Sequence, residues 1–164
     1  VQDQPTAEQI ACATRSATYR LKLFGIHPRV ALLSHSNFGS REECPGVKRL
    51  VEALELIRQR APRLEVEGEM QADAALNAAV RERLFPDANL GGNANVFVFP
   101  NIDAANIAYN LVRAISDGVG LGPILMGVAA PAHVLTPSST VRRVVNMTAI
   151  AAVDAQIRAE RATT

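Results

Sequence analysis

The segment from Val30 to Ser40 is the feature that most constrains the fold. It reads VALLSHSNFGS, four apolar residues followed by a run of mainly polar, small and turn-forming residues. The apolar start favours a short buried strand, and Gly39 permits the positive φ of a tight turn. The segment predicts a strand that ends in a binding loop, at the edge where open α/β sheets bind their ligands.

The rest of the chain alternates between helix and strand patterns. Strands joined through helices run parallel, with right-handed crossovers. We therefore predict a three-layer α/β/α fold with a mostly parallel sheet, built from one helix and four strand–helix units. The predicted strands are Val30–Leu33, Leu64–Val66, Ala94–Phe99 and Pro123–Val128. The predicted helices are Thr6–Phe24, a second from Pro45 to Pro62, an Ala-rich one ending near Leu84, one carrying Ala104 to Ile115, and one from about Thr140 to Arg161. The first helix has a predicted apolar stripe of Ile10, Ala13, Ala17, Leu21 and Phe24.

Composition excludes several classes of function. The 164 residues are 48% hydrophobic and 20% charged, which suits a globular domain with a sizeable core. A net charge of +1 with 4% aromatic residues gives no footprint for nucleic acid. The apolar region Leu121–Leu135 is interrupted by Gly and Pro and is too short for a membrane span.

Cysteine usage and the start of the chain suggest its cellular setting. Cys12 and Cys44 have no metal-ligand spacing, so we expect reduced, packed thiols in a cytoplasmic protein. The chain begins at Val1 without an initiator Met, and we expect it to be a fragment of a longer polypeptide.

Four loops should follow the carboxyl ends of the predicted strands. They are Ser34–Ser40, Glu67–Asp73, Pro100–Asp103 and Ala129–Ser139. In the first loop, the hydroxyl, amide and backbone donors near a glycine predict either a nest for a phosphate or carboxylate or an ordinary turn before the next helix.

Acidic and imidazole side chains give weaker indications. Glu67, Glu69 and Asp73 fit a cation site or an acid/base cluster, but we favour acidic residues that begin a helix. The three histidines His27, His35 and His133 lack metal-ligand spacing, so we predict neither a metal site nor a histidine mechanism.

Four strings together resemble the phosphate acetyl/butyryl transferases. They are ALLSHSNFGS from Ala31, EGEMQAD from Glu67, ANVFVFPNIDAANIAYN from Ala94 and GPILMG from Gly122, and they keep the order and spacing of the family motifs. The resemblance implies a fold of the phosphotransacetylase and isocitrate dehydrogenase type. It also implies that residues 1–164 are the carboxyl-terminal half of such a domain.

Within that family, SNFGS from Ser36 resembles the domain fused to bacterial NADP-dependent malic enzymes. Active transferases carry a Ser-Arg pair that falls here on Thr136 and Pro137, and an Asp base that falls on Arg143. Another familial arginine falls on Ala114. Proline has no donor for a phosphate, and an arginine cannot act as a base near neutral pH. We therefore assign no catalytic residue.

The resemblance implies a non-catalytic regulatory domain that binds acetyl-CoA as the allosteric effector of an enzyme that decarboxylates L-malate to pyruvate. NADP and a divalent metal are expected in the malic enzyme part of the parent, and no cofactor in this domain. A homo-oligomer is expected. The alternatives are an active phosphate acetyltransferase and a purely structural oligomerisation domain. The predicted ligand-binding residues are Ser34, Ser36, Asn37, Gly39, Ser40, Asn106, Tyr109, Arg113, Thr136 and Arg143.

Overall fold

The computed structural model describes residues 3–137 and 139–162. The chain divides between Leu111 and Val112 into two compact units. The first unit contains the sheet and most of the helices, and the last helix belongs to the second. The elements are α1 (Ala7–Leu23), β1 (Arg29–Leu33), α2 (Pro45–Arg60), β2 (Glu65–Met70), α3 (Ala72–Leu76), α4 (Ala78–Leu84), β3 (Val96–Val98), α5 (Ile102–Ile115) and α6 (Val141–Ala162).

The sheet is parallel and has β1 at its centre. In the described residues its order is β2-β1-β3, and Val30 of β1 pairs with Val66 on one side and with Val96 on the other. The register shifts between Leu32 and Leu33, next to the end of the strand. The predicted parallel α/β sheet is confirmed.

Alternate residues of β1 point to opposite faces of the sheet. Because these residues are apolar on both faces, helices cover both faces of the sheet. Val30 and Leu32 belong to a cluster with α1 and α2, which includes Leu50 and Ile57. The other cluster combines Ala31 and Leu33 with Met70 and the alanines of α3. The predicted three layers are present, and the central strand is buried on both faces.

The predicted fourth strand is wrong. Residues 123–128 are irregular in the structure. Gly122 and Gly127 both have positive φ values, of 120° and 79°. Pro123 has no N–H for a ladder hydrogen bond, and neither glycine has the extended backbone that a regular strand requires.

The start of α1 is as predicted, but its buried face is not. Thr6 and Gln9 form a reciprocal capping box, and Gly25 after the helix has a φ of 72°. Ala13 and Phe24 of the predicted apolar stripe are exposed. Threonine can replace them in the core because its hydroxyl bonds a helix carbonyl, as Thr14 does with Ile10 at 2.8 Å. The buried residues are Ile10, Ala11, Thr14 and Thr18.

The chain after α2 departs most from prediction. β2 continues to Met70, so Glu67 and Glu69 lie inside a strand and not in a loop. The Ala-rich helix divides at Asn77, whose Oδ1 accepts hydrogen bonds from the backbone N–H groups of Ala79 and Val80. A side chain that caps a new helix in this way competes with continuation of the old one.

Several residues that the sequence predicted to pack in the core are exposed on α5 and α1. α5 has the predicted apolar stripe, but Ile107 and Ile115 are 69% and 77% exposed, so the stripe does not face a core. Cys12 is exposed on α1, which makes the packing interpretation wrong for that residue. Among the helices that the structure describes, none combines the length and the apolar character that crossing a bilayer requires.

Candidate functional site

The loop between β1 and α2, residues 34–44, begins at the carboxyl end of the central strand. Its first half is attached to the backbone of β2. The N–H of Ser34 donates to the carbonyl of Met70 at 2.9 Å, and the N–H of Phe38 donates to the carbonyl of Glu69 at 2.7 Å. The loop therefore follows the end of β2 and is positioned by that strand.

The carboxylate of Glu69 is buried inside this loop, with 0% of the residue exposed. Its Oε2 accepts a hydrogen bond from the Ser36 hydroxyl at 2.9 Å, and its Oε1 accepts one from the Gly39 N–H at 2.9 Å. A hydroxyl and a backbone N–H around a glycine are the donors from which an anion nest is built. In this chain those two donors bind the protein's own carboxylate.

A second residue at this end of β2, Gln71, clamps the middle of the loop. Its N–H donates to Asn37 Oδ1 at 2.8 Å, and its side-chain Oε1 accepts from Asn37 Nδ2 at 3.0 Å. Gln71 Nε2 also donates to the carbonyl of His35 at 2.8 Å. The amide of Asn37 is therefore engaged at both ends.

Ser34 and Ser40 are the two outer serines of the loop, and neither hydroxyl contacts Glu69. The Ser36 hydroxyl gives its one proton to Glu69, so in the 3.3 Å contact between Ser34 Oγ and Ser36 Oγ the donor is Ser34. Ser40 Oγ accepts from the Asn37 N–H at 3.3 Å, and Ser40 is exposed.

The turn at the centre of the loop uses an uncommon backbone. Phe38 and Gly39 have φ values of 47° and 80°. A positive φ costs a non-glycine residue free energy unless its surroundings hold it. Phe38 is held by its N–H bond to Glu69 and by its ring, whose centroid lies 3.8 Å from that of Phe85.

The far end of the loop is exposed and carries a small charged group. Arg41 Nε lies 2.6 Å from Glu43 Oε1. The backbone N–H of Glu43 and then the Arg41 guanidinium lower the pKa of the Glu43 carboxyl. His35 Nε2 lies 4.0 Å from the sulfur of Cys44, which precedes α2.

Glu67 has different partners from Glu69. It accepts from Arg58 Nη2 at 2.8 and 3.0 Å, and from the N–H groups of Gly68 and Asn89 at 3.0 and 2.7 Å. The described part of the chain contains no group of three His, Cys, Asp or Glu side chains arranged to hold a metal ion. The helix-start interpretation of Glu67 and Glu69 is wrong, because both are buried residues inside β2 that accept hydrogen bonds from other parts of the chain.

Asp73 behaves as the helix-start interpretation predicts. It lies in the first turn of α3, and its Oδ1 accepts from the N–H of Ala74 at 2.8 Å. A carboxylate at this place compensates a free N–H group and the positive end of the helix.

The predicted ligand residues fall into separate groups. Ser34, Ser36, Asn37, Gly39 and Ser40 are brought together in one loop. Asn106 and Tyr109 are exposed and lie three residues apart on α5, where such a spacing places them on one face. Asn106 Oδ1 accepts from Asn110 Nδ2 at 2.9 Å.

The other three, Arg113, Thr136 and Arg143, belong to the second unit. Arg113 is exposed on α5, and the N–H of Thr136 donates to Ser139 Oγ at 3.2 Å. Arg143, on α6, donates through Nη2 to the carbonyl of Gly122. Its Nε is buried and has no hydrogen-bond partner among the described residues. Ser138, inside the predicted last loop, lies outside the described residues.

The residues that the sequence reasoning missed are Glu69 and Gln71 as supports of the loop. The string EVEGEM places an acidic residue at every second position, which is the period of a strand. That alternation was the signal for a longer β2. It predicts a shared face for the three glutamates, but it contains no information on which donors meet them.

Comparisons with known proteins agree with this architecture. The family model described as phosphate acetyl/butaryl transferase matches residues 1–152. The chain is 55% identical over 157 residues to the NADP-dependent malic enzyme of Escherichia coli, covering 95% of the chain and 21% of that protein. It is 46% identical over 150 residues to a phosphate acetyltransferase of Paracoccus denitrificans, covering 91% of the chain and 47% of that protein.

Solved structures show the same likeness. A phosphotransacetylase from Streptococcus pyogenes superimposes with a TM-score of 0.88 and 32% identity, over 94% of this chain and 47% of the other. The EutD phosphotransacetylase from Staphylococcus aureus gives 0.86 and 33%, over 94% and 48%. The chain thus spans about a fifth of the malic enzyme and about half of each transferase. The family model, the relatives and the fold agree, and the chain belongs to the phosphate acetyl/butaryl transferase family.

Proposed function

We propose that this chain is a regulatory domain that binds acetyl-CoA and does not transfer acyl groups, and that its parent is an NADP-dependent malic enzyme. Acetyl-CoA acts as the allosteric effector of malate decarboxylation. The NADP and divalent-metal sites belong to the malic enzyme part of the parent.

The observation that carries the proposal is the state of Arg143. The family resemblance assigns this position to the aspartate that deprotonates the thiol of coenzyme A. Here the side chain is a guanidinium that donates to the Gly122 carbonyl. A guanidinium stays protonated at neutral pH and has no acceptor site. The position therefore offers a donor where transfer chemistry needs a base.

Two further features support a binding role without transfer. Pro137 occupies the position of the familial arginine that holds the acyl phosphate, and it supplies no donor. The β1–α2 loop is fully built, with Ser36, Asn37 and Gly39 held by Glu69 and Gln71. A preorganised loop retains its value for binding after the chemistry is lost, because less ordering entropy is needed when the ligand arrives.

The test is malate turnover by the full-length protein, followed through NADPH formation with acetyl-CoA titrated at fixed malate, NADP and metal. We expect a saturable change in rate and a matching heat of binding by calorimetry. Coenzyme A and acetyl phosphate, added separately, control for the two halves of the acyl donor. An unchanged rate together with no heat of binding would overturn the proposal.

An active phosphate acetyltransferase is the second candidate. It is favoured by the 46% identity to the Paracoccus denitrificans phosphate acetyltransferase. Formation of acetyl phosphate from acetyl-CoA and inorganic phosphate by the full-length protein would support it. The assay should be run beside Arg143→Asp combined with Pro137→Arg, which restores both familial side chains. Acetyl phosphate formation by the unmodified full-length protein would reject the regulatory proposal. Acetyl phosphate formation by the double variant alone would support the regulatory proposal.

A structural role in assembly is the third candidate. It is favoured by the apolar side chains of α5 that remain exposed, with Ile107 at 69% and Ile115 at 77%. Exposed apolar patches commonly mark protein interfaces. Replacing both isoleucines with glutamate and measuring mass in solution tests whether this surface joins copies of the chain. Loss of the oligomer with an intact acetyl-CoA response would separate assembly from regulation.

A further inference from the structure

We infer that Glu69 is the positioning residue of the ligand loop, and that its carboxylate acts as an internal anion around which residues 36–39 are folded. This inference deepens the proposed function. Its part about acetyl-CoA rests on that proposal, whereas its part about the loop does not. The role differs from that of a ligand contact, because Glu69 acts through Ser36 and Gly39.

Burying the carboxylate of Glu69 costs free energy unless the protein compensates it. Glu69 is 0% exposed, and no Lys, Arg or His of the described residues forms an ion pair with it. A buried charge must be compensated by hydrogen bonds or by an opposite charge. For Glu69 the compensation comes from the Ser36 hydroxyl and the Gly39 N–H. The loop therefore compensates the buried carboxylate, and the carboxylate in turn stabilises the conformation of the loop.

The backbone that carries these donors has an unusual conformation. Phe38 and Gly39 adopt positive φ values in succession. The Ser36 hydroxyl and the Gly39 N–H both donate to the carboxylate of Glu69, and the N–H of Phe38 donates to the backbone carbonyl of Glu69. One residue of β2 thus holds two consecutive N–H groups and the hydroxyl of Ser36 in a geometry that a free chain rarely adopts.

The contacts of Glu69 determine which donors of the loop a ligand can reach. Because Glu69 occupies the Ser36 and Gly39 donors, an anionic group of a ligand cannot use them while the loop is intact. The hydroxyls of Ser34 and Ser40 lie at the two ends of the turn. Ser34 Oγ donates to Ser36 Oγ at 3.3 Å, and Ser40 Oγ accepts from the Asn37 N–H at 3.3 Å. Glu69 fixes the separation of these two hydroxyls without touching the ligand.

The test compares Glu69→Gln with Glu67→Gln in the full-length protein. Both replace a buried β2 carboxylate by an isosteric amide, but only Glu69 contacts the loop. Hydrogen–deuterium exchange followed by mass spectrometry reports the loop without any ligand. We expect Glu69→Gln to raise exchange of peptides covering 36–40 about tenfold, with β1 and α2 peptides unchanged, and Glu67→Gln to leave peptides 36–40 unchanged.

Ser36→Ala keeps the test decisive if Glu69→Gln does not fold. It removes the hydroxyl donor from the loop side and leaves the strand untouched. We expect a severalfold rise in exchange at 37–40. Unchanged exchange in either variant, or an equal rise in Glu67→Gln, would overturn the inference.

The ligand part is measured separately through the acetyl-CoA response. We expect Glu69→Gln to raise the half-effect concentration of acetyl-CoA at least tenfold. Glu69→Asp, which keeps the charge, should recover part of the affinity. An unchanged half-effect concentration would overturn this part. A wild-type protein without any acetyl-CoA response would instead reject the proposed function, and the exchange data would still decide the role of Glu69.

Discussion

Glu67 and Glu69 lie two residues apart on β2 and both are buried, yet their surroundings differ. Glu67 faces Arg58 of α2 and two backbone N–H groups. Glu69 has a hydroxyl and a backbone N–H from the β1–α2 loop and no ion pair among the described contacts. The first carboxylate joins the sheet to a helix layer, and the second joins the sheet to a loop.

The short strand β2 therefore has two structural roles, which differ in how much movement they allow. An ion pair with a long, partly exposed arginine tolerates small movements, because the side chain can follow its partner. Two short donors converging on one carboxylate tolerate little movement, so they define a single loop geometry. We therefore expect changes near Glu67 to alter global stability and changes near Glu69 to alter the loop.

The largest effect should come from Gly68→Ala, between the two glutamates. A Cβ built at Gly68 would lie 2.8 Å from the carbonyl oxygen of Leu32 and 2.9 Å from its Cβ, and φ is 145°. Because the clash is with the central strand, we expect a loss of about 3 kcal/mol in the free energy of unfolding, measured by urea denaturation.

Gly25→Ala is the matched control for this substitution. Gly25 has a φ of 72°, and apart from its two chain neighbours no described residue has a heavy atom within 4 Å of the position that a methyl group would occupy there. It should lose only about 1 kcal/mol, from backbone strain alone. Equal losses in the two variants would show that contact with β1 is unimportant.

Glu67→Gln should have the next largest effect. It removes the charge that compensates Arg58 and weakens the acceptor of the Asn89 N–H. Because Arg58 is partly exposed and can recover hydration, we expect a loss of about 2 kcal/mol, below the range for a fully buried pair. Arg58→Met should cost less, since Glu67 keeps two backbone donors. The reverse order in urea midpoints would contradict this reasoning.

A double-mutant cycle with Ser36→Ala and Glu69→Gln should show a smaller but coupled effect. Ser36→Ala removes the donor of this hydrogen bond, and Glu69→Gln replaces its charged acceptor with a neutral amide, so we expect about 1 kcal/mol for each and a coupling energy of similar size. Glu69→Gln combined with Ser16→Ala on α1 is the control pair, and its effects should add. Additivity in the first pair would mean that the 2.9 Å contact contributes nothing.

The smallest effect should be the pH dependence from Glu65, the third glutamate of β2. Its hydrogen bond to His27 and then the N–H of Gly91 lower the pKa of its carboxyl below the ordinary value of 4.5. A lowered folded-state pKa contributes stability above the unfolded-state pKa, and this contribution is lost as the pH falls below about 4.5.

Comparing urea midpoints at pH 6 and pH 3 for the wild type and for Glu65→Gln isolates this contribution. Because His27 is well exposed, we expect a difference below about 1 kcal/mol. An equal pH dependence in the two proteins would exclude a contribution from Glu65.

Local pattern predicted much of the framework. The Thr6 cap and Gly25 mark the ends of α1, and the apolar spacing of α2 matches the observed Pro45–Arg60. Prediction was wrong where polar residues enter the core or where a pattern lacks its partners. Thr14 is buried because its hydroxyl bonds a helix carbonyl, and 123–128 reads as a strand but has no sheet partner in the described residues.

The candidate site was predicted unevenly for the same physical reason. Ser34–Ser40 was placed correctly at the end of β1, since a buried strand and a loop follow from local composition. That Ser36 and Gly39 bind Glu69 was not predictable, because the partners are 33 and 30 residues apart. Whether the five loop residues, Asn106, Tyr109, Arg113, Thr136 and Arg143 bind acetyl-CoA stays a prediction.

Apart from the fourth strand, which is irregular, and the Ala-rich helix, which is divided, the sequence predicted the order of helices and strands, the parallel direction of the sheet and the family to which the chain belongs. These follow from periodicity, caps and motif strings, which are local properties of the chain. Only the tertiary structure decided that Glu67 and Glu69 are buried and that they have separate tasks. A carboxylate can leave water only where donors converge on it, and those donors come from segments that meet solely through folding.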